Sequence, residues 1–251
     1  MADVPMPAKP AATVMLLRDV DTAEGIEVFM LRRTKSAAFA SGMYVFPGGK
    51  VDAADGDGDV GYAIAAIREC YEEAGVLLAT DEHGAMVTDG NPALAHRHAV
   101  HDGDIDLRAL CEDYRLVPAV DDLVWISHWI TPVGESARRF DTRFFVAAAP
   151  PGQSSRHDDN ETIASEWVGP RDALQRQAAG HLTMMPPTIK NLEFVAAHAD
   201  TASAMQAARL LGRPEPIMPR LRRDAQGRIR GVSLPGDDDF AELSDSADSA
   251  D

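Results

Sequence analysis

Apolar residues recur at two periods along the chain, and the switches between them outline its elements. Residues 12–18 and 26–33 are short apolar runs that predict strands, with residues 19–25 as the turn between them. Residues 62–79 set Ile64, Ile67, Tyr71 and Leu78 at helical intervals, which predicts an amphipathic helix with Gly75 near its end. Polar residues 81–100 predict a loop or lid, and residues 104–114 a helix. Residues 125–130, 142–148 and 163–167 predict strands. Residues 171–177, 187–198 and 201–211 predict helices, and Pro186-Pro187 suits a helix start because the first turn needs no N–H there. Residues 218–222 and 228–234 flank Asp224-Ala225-Gln226-Gly227 and predict a hairpin.

Strands interleaved with helices predict a mixed α/β (α+β) core with added helices. The expected organisation is a loose Pro-rich stretch over 1–10 and a main domain over 11–200. An insertion over about 80–120 interrupts that domain, a helix and hairpin extension follows over 201–235, and a disordered acidic tail fills 236–251.

Composition narrows the partners. The 24 basic and 40 acidic side chains leave a net charge of −16, which argues against DNA or RNA polymers, whose phosphates need clustered cations. Small anionic substrates remain open, because a metal ion inverts local charge. Cys70 and Cys111 cannot build a disulfide scaffold and read as reduced thiols. With no signal-like or membrane-spanning apolar run, the expectation is a cytoplasmic protein that does not use a membrane.

The most informative stretch is Arg68-Glu69-Cys70-Tyr71-Glu72-Glu73-Ala74-Gly75-Val76. On a helix, Glu69, Glu72 and Glu73 fall at i, i+3 and i+4 and share one face. A solvated acidic face reads the same way. The functional reading is a hard-cation site, since carboxylate oxygens suit Mg²⁺ or Mn²⁺ and leave coordination positions for substrate phosphates. Upstream, Pro47-Gly48-Gly49 is a turn whose glycines allow close backbone approach.

The turn followed by Arg68–Val76 resembles a Nudix box, the loop–helix signature of hydrolases that cleave nucleoside diphosphates linked to another moiety. Every fixed position of the second half matches, with Cys70 at one aliphatic position. The first half departs: Gly49 to Arg68 spans 19 positions, five more than the family pattern, and Val60 stands where the first glutamate belongs. That glutamate normally pairs with the box arginine, and Asp52, Asp55, Asp57 and Asp59 are the candidates to replace it.

Outside the box, Leu31-Arg32-Arg33-Thr34-Lys35-Ser36 and Tyr44-Val45-Phe46-Pro47-Gly48-Gly49 resemble the segments ahead of the box in coenzyme A diphosphatases. The long box, the insertion before Trp125, Arg139–Phe144, Glu166-Trp167-Val168 and Pro186-Pro187-Thr188 are most similar to the peroxisomal-type acyl-CoA diphosphatase branch and its bacterial relatives. The resemblance implies a Nudix α/β/α sandwich, dependence on Mg²⁺ or Mn²⁺, and cleavage of the CoA diphosphate bridge to 3′,5′-ADP and (acyl-)phosphopantetheine. It also suggests a homodimer.

In that reading Glu69, Glu72, Glu73 and the Gly48 carbonyl hold metal. Arg68, Gly49 and Gly75 are structural in the motif. Glu69 or Glu161 is the base that takes a proton from water, and Glu72 is essential to catalysis. Arg32, Arg33, Lys35, Arg138, Arg139 and Arg143 are candidate phosphate binders, Arg143 foremost, because guanidinium forks match phosphate oxygens. Phe46, Trp129 and Phe140 are candidates to stack on adenine, with a core role as the alternative. Two rival functions stand beside this one: a Nudix hydrolase of ADP-ribose, NADH or another nucleoside diphosphate derivative, and a non-catalytic Nudix-fold nucleotide-binding regulator.

Overall fold

A computed structural model describes residues 6–23, 25–34, 40–136, 138–158 and 162–243. The central sheet has eight strands: β1 (Lys9–Asp19), β2 (Ile26–Arg33), β3 (Tyr44–Val45), β4 (Gly48–Lys50), β7 (Val124–Ile130), β8 (Phe140–Ala148), β9 (Thr162–Val168) and β10 (Pro216–Ile217). Two small pairs lie outside it, β5 (Ala79–Thr80) with β6 (Val117–Pro118), and β11 (Arg220–Arg223) with β12 (Ile229–Ser233). The helices are α1 (Gly58–Ala74), α2 (Arg97–His101), α3 (Leu107–Asp113), α4 (Pro170–Ala178), α5 (Pro186–Ala196) and α6 (Thr201–Leu210).

Strand β1 is the spine. It runs parallel to β8 along one side, and its other side is shared: residues 11–13 pair with β4 and residues 17–19 with β2, both antiparallel. The sheet therefore splits beside β1, and the split brings the backbone at Gly48 against Thr13. Alternation along the strands sends Val14, Leu16, Phe29, Leu31 and Phe145 to one face and Met15, Leu17, Val28, Met30 and Val146 to the other. The first face packs on Ile64, Ile67 and Tyr71 of α1, and the second on Leu192 and Val195 of α5 and Ala204 and Met205 of α6. A mixed sheet covered on both faces is the α/β/α sandwich expected.

Helix α1 begins four residues before the predicted range and ends five before it. Gly75 stops it, taking a left-handed conformation (φ 72°) and donating its N–H to the Tyr71 carbonyl. Leu77 to Ala79 then leave the helix for β5. The far side of α1 is covered by the insertion, which is largely folded: Tyr71 donates its hydroxyl to the Ala93 carbonyl at 2.7 Å, and Val100, Leu107 and Leu110 pack in the same core. Buried between two layers, α1 uses small residues at Ala63, Ala65 and Ala66.

The start of the acidic tail is solvent-exposed, as expected, but folded into turns rather than disordered. Residues 236–243 form turns against the β11–β12 pair, where Arg222 forks onto Asp239 and Arg220 donates to the Phe240 carbonyl. Charge complementarity with the arginine-rich hairpin captures acids that have no apolar reason to fold. Residues 244–251 and 1–5 lie outside the described residues. Among the described residues, no helix is long and apolar enough to cross a membrane.

Candidate active site

The three box carboxylates line one cavity of about 510 Å³ together with Gly48, Gly49, Arg33, Lys50, Arg68 and His101. That is room for a diphosphate and accompanying ions. The local sequence explains the convergence. Glu69, Glu72 and Glu73 share a helix face, and the split sheet lays the Gly48-Gly49 backbone directly over it. A Cβ at Gly48 would lie 2.6 Å from the Ala12 carbonyl oxygen, so backbone contact requires glycine there, whereas a Cβ at Gly49 would lie 2.4 Å from Glu69 Oε1 and would displace that carboxylate. The Gly48 N–H donates to Glu73 Oε2 at 2.9 Å and fixes that carboxylate.

Arg68 organises the rest. Its Nη1 donates to Glu69 Oε1 at 2.9 Å and to Glu72 Oε1 at 3.1 Å, and its Nη2 donates to the Lys50 carbonyl at 2.7 Å. Asp55 takes the other edge of the guanidinium, receiving Nε and Nη2 at 2.9 Å each. Of the four aspartates expected as candidates, Asp55 is the buried, two-pronged partner; Asp52 stands 3.7 Å away and is exposed. Burial opposes the Arg68 charge, but the Asp55 hydrogen bonds and the nearby Glu69 and Glu72 charges outweigh it and raise its pKa. Burial pushes the Glu72 carboxyl above its ordinary value, with Arg68 pulling the other way.

The cavity suits a divalent cation by its chemistry. Among the described residues, no three Asp, Glu, His or Cys side chains are grouped closely enough to hold a metal ion by themselves. The donors are instead hard oxygens around an open space, which matches Mg²⁺, an ion that keeps water and substrate phosphate in its coordination sphere.

The other expected site residues fall into three groups. Arg33 borders the cavity, 3.7 Å from Glu73 Oε1, and exposed Arg138 lines it as well. Phe46 and Trp129 are buried and, with Phe140, line a second, apolar cavity next door. Arg143, Arg139 and Arg32 are turned elsewhere. Arg143 shares its strand face with Phe145, so it points toward α1, pairs with Asp59 and lies 3.7 Å from the Tyr62 ring and 4.3 Å from the Trp125 ring. Arg139 donates to the Thr131 and Met6 carbonyls, tying the chain start to the β7–β8 connection. Arg32 sits over Tyr44. Glu161 and Lys35 lie outside the described residues.

His101 was not anticipated. It comes from the insertion and brings Nδ1 to 3.6 Å from Glu72 Oε2, while Arg97 of the same helix donates to the Glu72 carbonyl at 2.8 Å. Neither contact has a local signature, since both partners lie 25 or more residues from Glu72.

These features agree with comparisons to known proteins. A family model described as the NUDT19 Nudix domain matches residues 57–195, more than half of the chain, and a NUDIX domain model matches residues 7–102. The chain belongs to the Nudix family and is a Nudix diphosphatase. The proteins it is similar to include some named for the activity of the branch that the motifs resemble. It is 25% identical over 274 residues to a Xenopus laevis protein named acyl-coenzyme A diphosphatase NUDT19, covering 86% of this chain and 72% of the relative. The Homo sapiens protein of that name is 26% identical over 281 residues, covering 89% and 74%. Among solved structures, a NUDIX hydrolase from Alicyclobacillus acidocaldarius superposes with a TM-score of 0.72 at 29% identity, covering 80% of this chain and 96% of that one. Nudix hydrolases generally use divalent metal ions.

Proposed function

We propose that the protein is a metal-dependent hydrolase that cleaves the diphosphate bridge of coenzyme A or acyl-CoA to 3′,5′-ADP and (acyl-)phosphopantetheine. The observation that carries this reading is the open cavity where Glu69, Glu72 and Glu73 converge beside Arg33 and the Gly48-Gly49 backbone. The names of the similar Xenopus laevis and Homo sapiens proteins support the choice of substrate.

Glu69, Glu72, Glu73 and the Gly48 carbonyl are the groups to hold Mg²⁺ or Mn²⁺. Such ions, when bound, supply charge neutralisation at the diphosphate oxygens and acidification of water. Arg68 keeps Glu69 and Glu72 at fixed separation, and Asp55 keeps Arg68 in place. Arg33 stands where it can orient the diphosphate by its guanidinium fork. Glu69, which lines the cavity, and Glu161 are the two candidates to take the proton from the attacking water.

The test is turnover of purified protein with Mg²⁺ or Mn²⁺ on CoA, acetyl-CoA, ADP-ribose and NADH. Release of 3′,5′-ADP from CoA well above the other turnovers supports the reading. Fast ADP-ribose cleavage with indifference to CoA overturns it, and binding without any turnover returns the non-catalytic alternative.

A further inference from the structure

The apolar cavity is continuous with the carboxylate cavity through Thr13, Arg33, Gly48, Phe140 and Thr142, which line both. At about 140 Å³ it suits one chain or ring and not a whole nucleotide. Its walls come from distant parts of the chain: Trp129 and Phe144 from the sheet, Phe46 from the link between β3 and β4, Met185 and Pro186 from the N-cap and first residue of α5, and Val232 from the C-terminal hairpin. The hairpin lies beyond the matched residues 57–195.

Two features make this cavity hostile to a phosphate. Pro186 and Pro187 open α5, so the first two positions of that helix lack the N–H groups that usually attract anions. Among the described residues lining it, Arg33 is the only Lys or Arg, and it stands at the shared border. What the cavity holds instead is Glu135, whose carboxylate has no hydrogen-bond or ion-pair partner among the described residues. Burial alone pushes that carboxyl above its ordinary value. A half-buried acceptor among apolar walls is satisfied by a ligand N–H. The carboxylate cavity, by contrast, has Lys50 and Arg138 on its lining, and neither lines the apolar one.

We propose that the substrate lies in one direction only: its uncharged, amide-bearing pantetheine arm enters the apolar cavity, where Glu135 accepts an amide N–H, and its phosphorylated nucleoside lies toward Lys50 and Arg138. This rests on the CoA reading and adds the specificity-determining residue Glu135 and the orientation. An aromatic base in the same cavity is the competing occupant, and it would bring the nucleoside 3′-phosphate toward a carboxylate.

The test measures the two product halves separately, 4′-phosphopantetheine and 3′,5′-ADP, as ligands in titration calorimetry. The proteins are wild type, Glu135→Ala and Val232→Trp, with folding checked by circular dichroism. Val232→Trp fills the cavity, and Glu135→Ala removes the acceptor without adding bulk. Both variants are expected to weaken 4′-phosphopantetheine by about tenfold or more while 3′,5′-ADP stays within about twofold. Weakening of 3′,5′-ADP with 4′-phosphopantetheine spared reverses the orientation and overturns the proposal. So does indifference of both halves to both variants. If neither half binds the wild type, the CoA reading itself falls.

Discussion

Asp55 and Arg68 form a two-pronged buried ion pair, with Nε and Nη2 each 2.9 Å from a carboxylate oxygen across 13 residues of sequence. The pair stands where the family pattern has a glutamate, and an elongated loop delivers an aspartate by another route. The short 3-10 turn Ala53–Asp55 directs the side chain inward, and the Asp55 carboxylate also accepts the Asp52 N–H at 2.8 Å. Removing the acid leaves the guanidinium buried and half-paired. Asp55→Ala is expected to lower unfolding stability by about 3–5 kcal/mol in urea titration, as for other broken buried pairs. Asp52→Ala and Asp59→Ala, at exposed positions, should cost about 1 kcal/mol or less. Equal effects at all three would contradict the assignment.

Gly49 tests the carboxylate geometry without touching a carboxylate. A methyl group there would stand 2.4–2.6 Å from the Glu69 carboxyl atoms, which belong to the far end of a flexible side chain. Glu69 can swing away, so the fold survives and the arrangement does not. Gly49→Ala should leave the melting temperature nearly unchanged while lowering kcat/KM by about a hundredfold, the scale of a 1 Å misplacement at a reacting centre. A drop in stability with catalysis preserved would contradict this.

Where the signal is local, the sequence carried it. The spacing of Glu69, Glu72 and Glu73 is a property of one helix, and the apolar run of residues 26–33 is observed as β2 with those bounds. What escaped depends on distant chain. Choosing Asp55 over its neighbours needed the conformation of a loop lengthened by five residues. His101 reached Glu72 only because the insertion folds across α1. The parity of β8 already put Arg143 on the face of Phe145, but that this face meets α1 is a fact of tertiary packing. The folded start of the tail was hidden for a related reason: seven acids without a base read as disordered until a partner is in view, and that partner is Arg222.

That last contact carries a pH signature. The Arg222 fork and the Ser233 hydroxyl hold the Asp239 carboxyl well below its ordinary 3.8. A lowered folded-state pKa means the contact is fully favourable above 3.8 and is lost as pH falls through the lowered value. Amide NMR signals of residues 237–243 should keep their neutral-pH positions down to about that pH and move only in stronger acid. Asp239→Asn should release them already at neutral pH; unchanged signals in that variant would refute the tether.

Arg33 and Arg143 should separate in kinetics. Arg33→Ala is expected to raise KM for CoA by about tenfold, the worth of a lost charged hydrogen bond. Arg143→Ala should leave KM within about twofold and instead lower stability by about 1–2 kcal/mol through the lost aromatic contacts. The opposite pattern would return Arg143 to the substrate.

Binding of the catalytic ions by the box carboxylates is the step on which diphosphate hydrolysis rests. The decisive measurement is 3′,5′-ADP release from CoA with saturating Mg²⁺ or Mn²⁺, comparing wild type with Glu72→Gln, which keeps shape and removes charge. The expected result is wild-type turnover that chelation abolishes, with the variant folded but slower by more than about a hundredfold, beyond the usual cost of losing an outer-sphere group. Turnover by folded Glu72→Gln near the wild-type rate would contradict it.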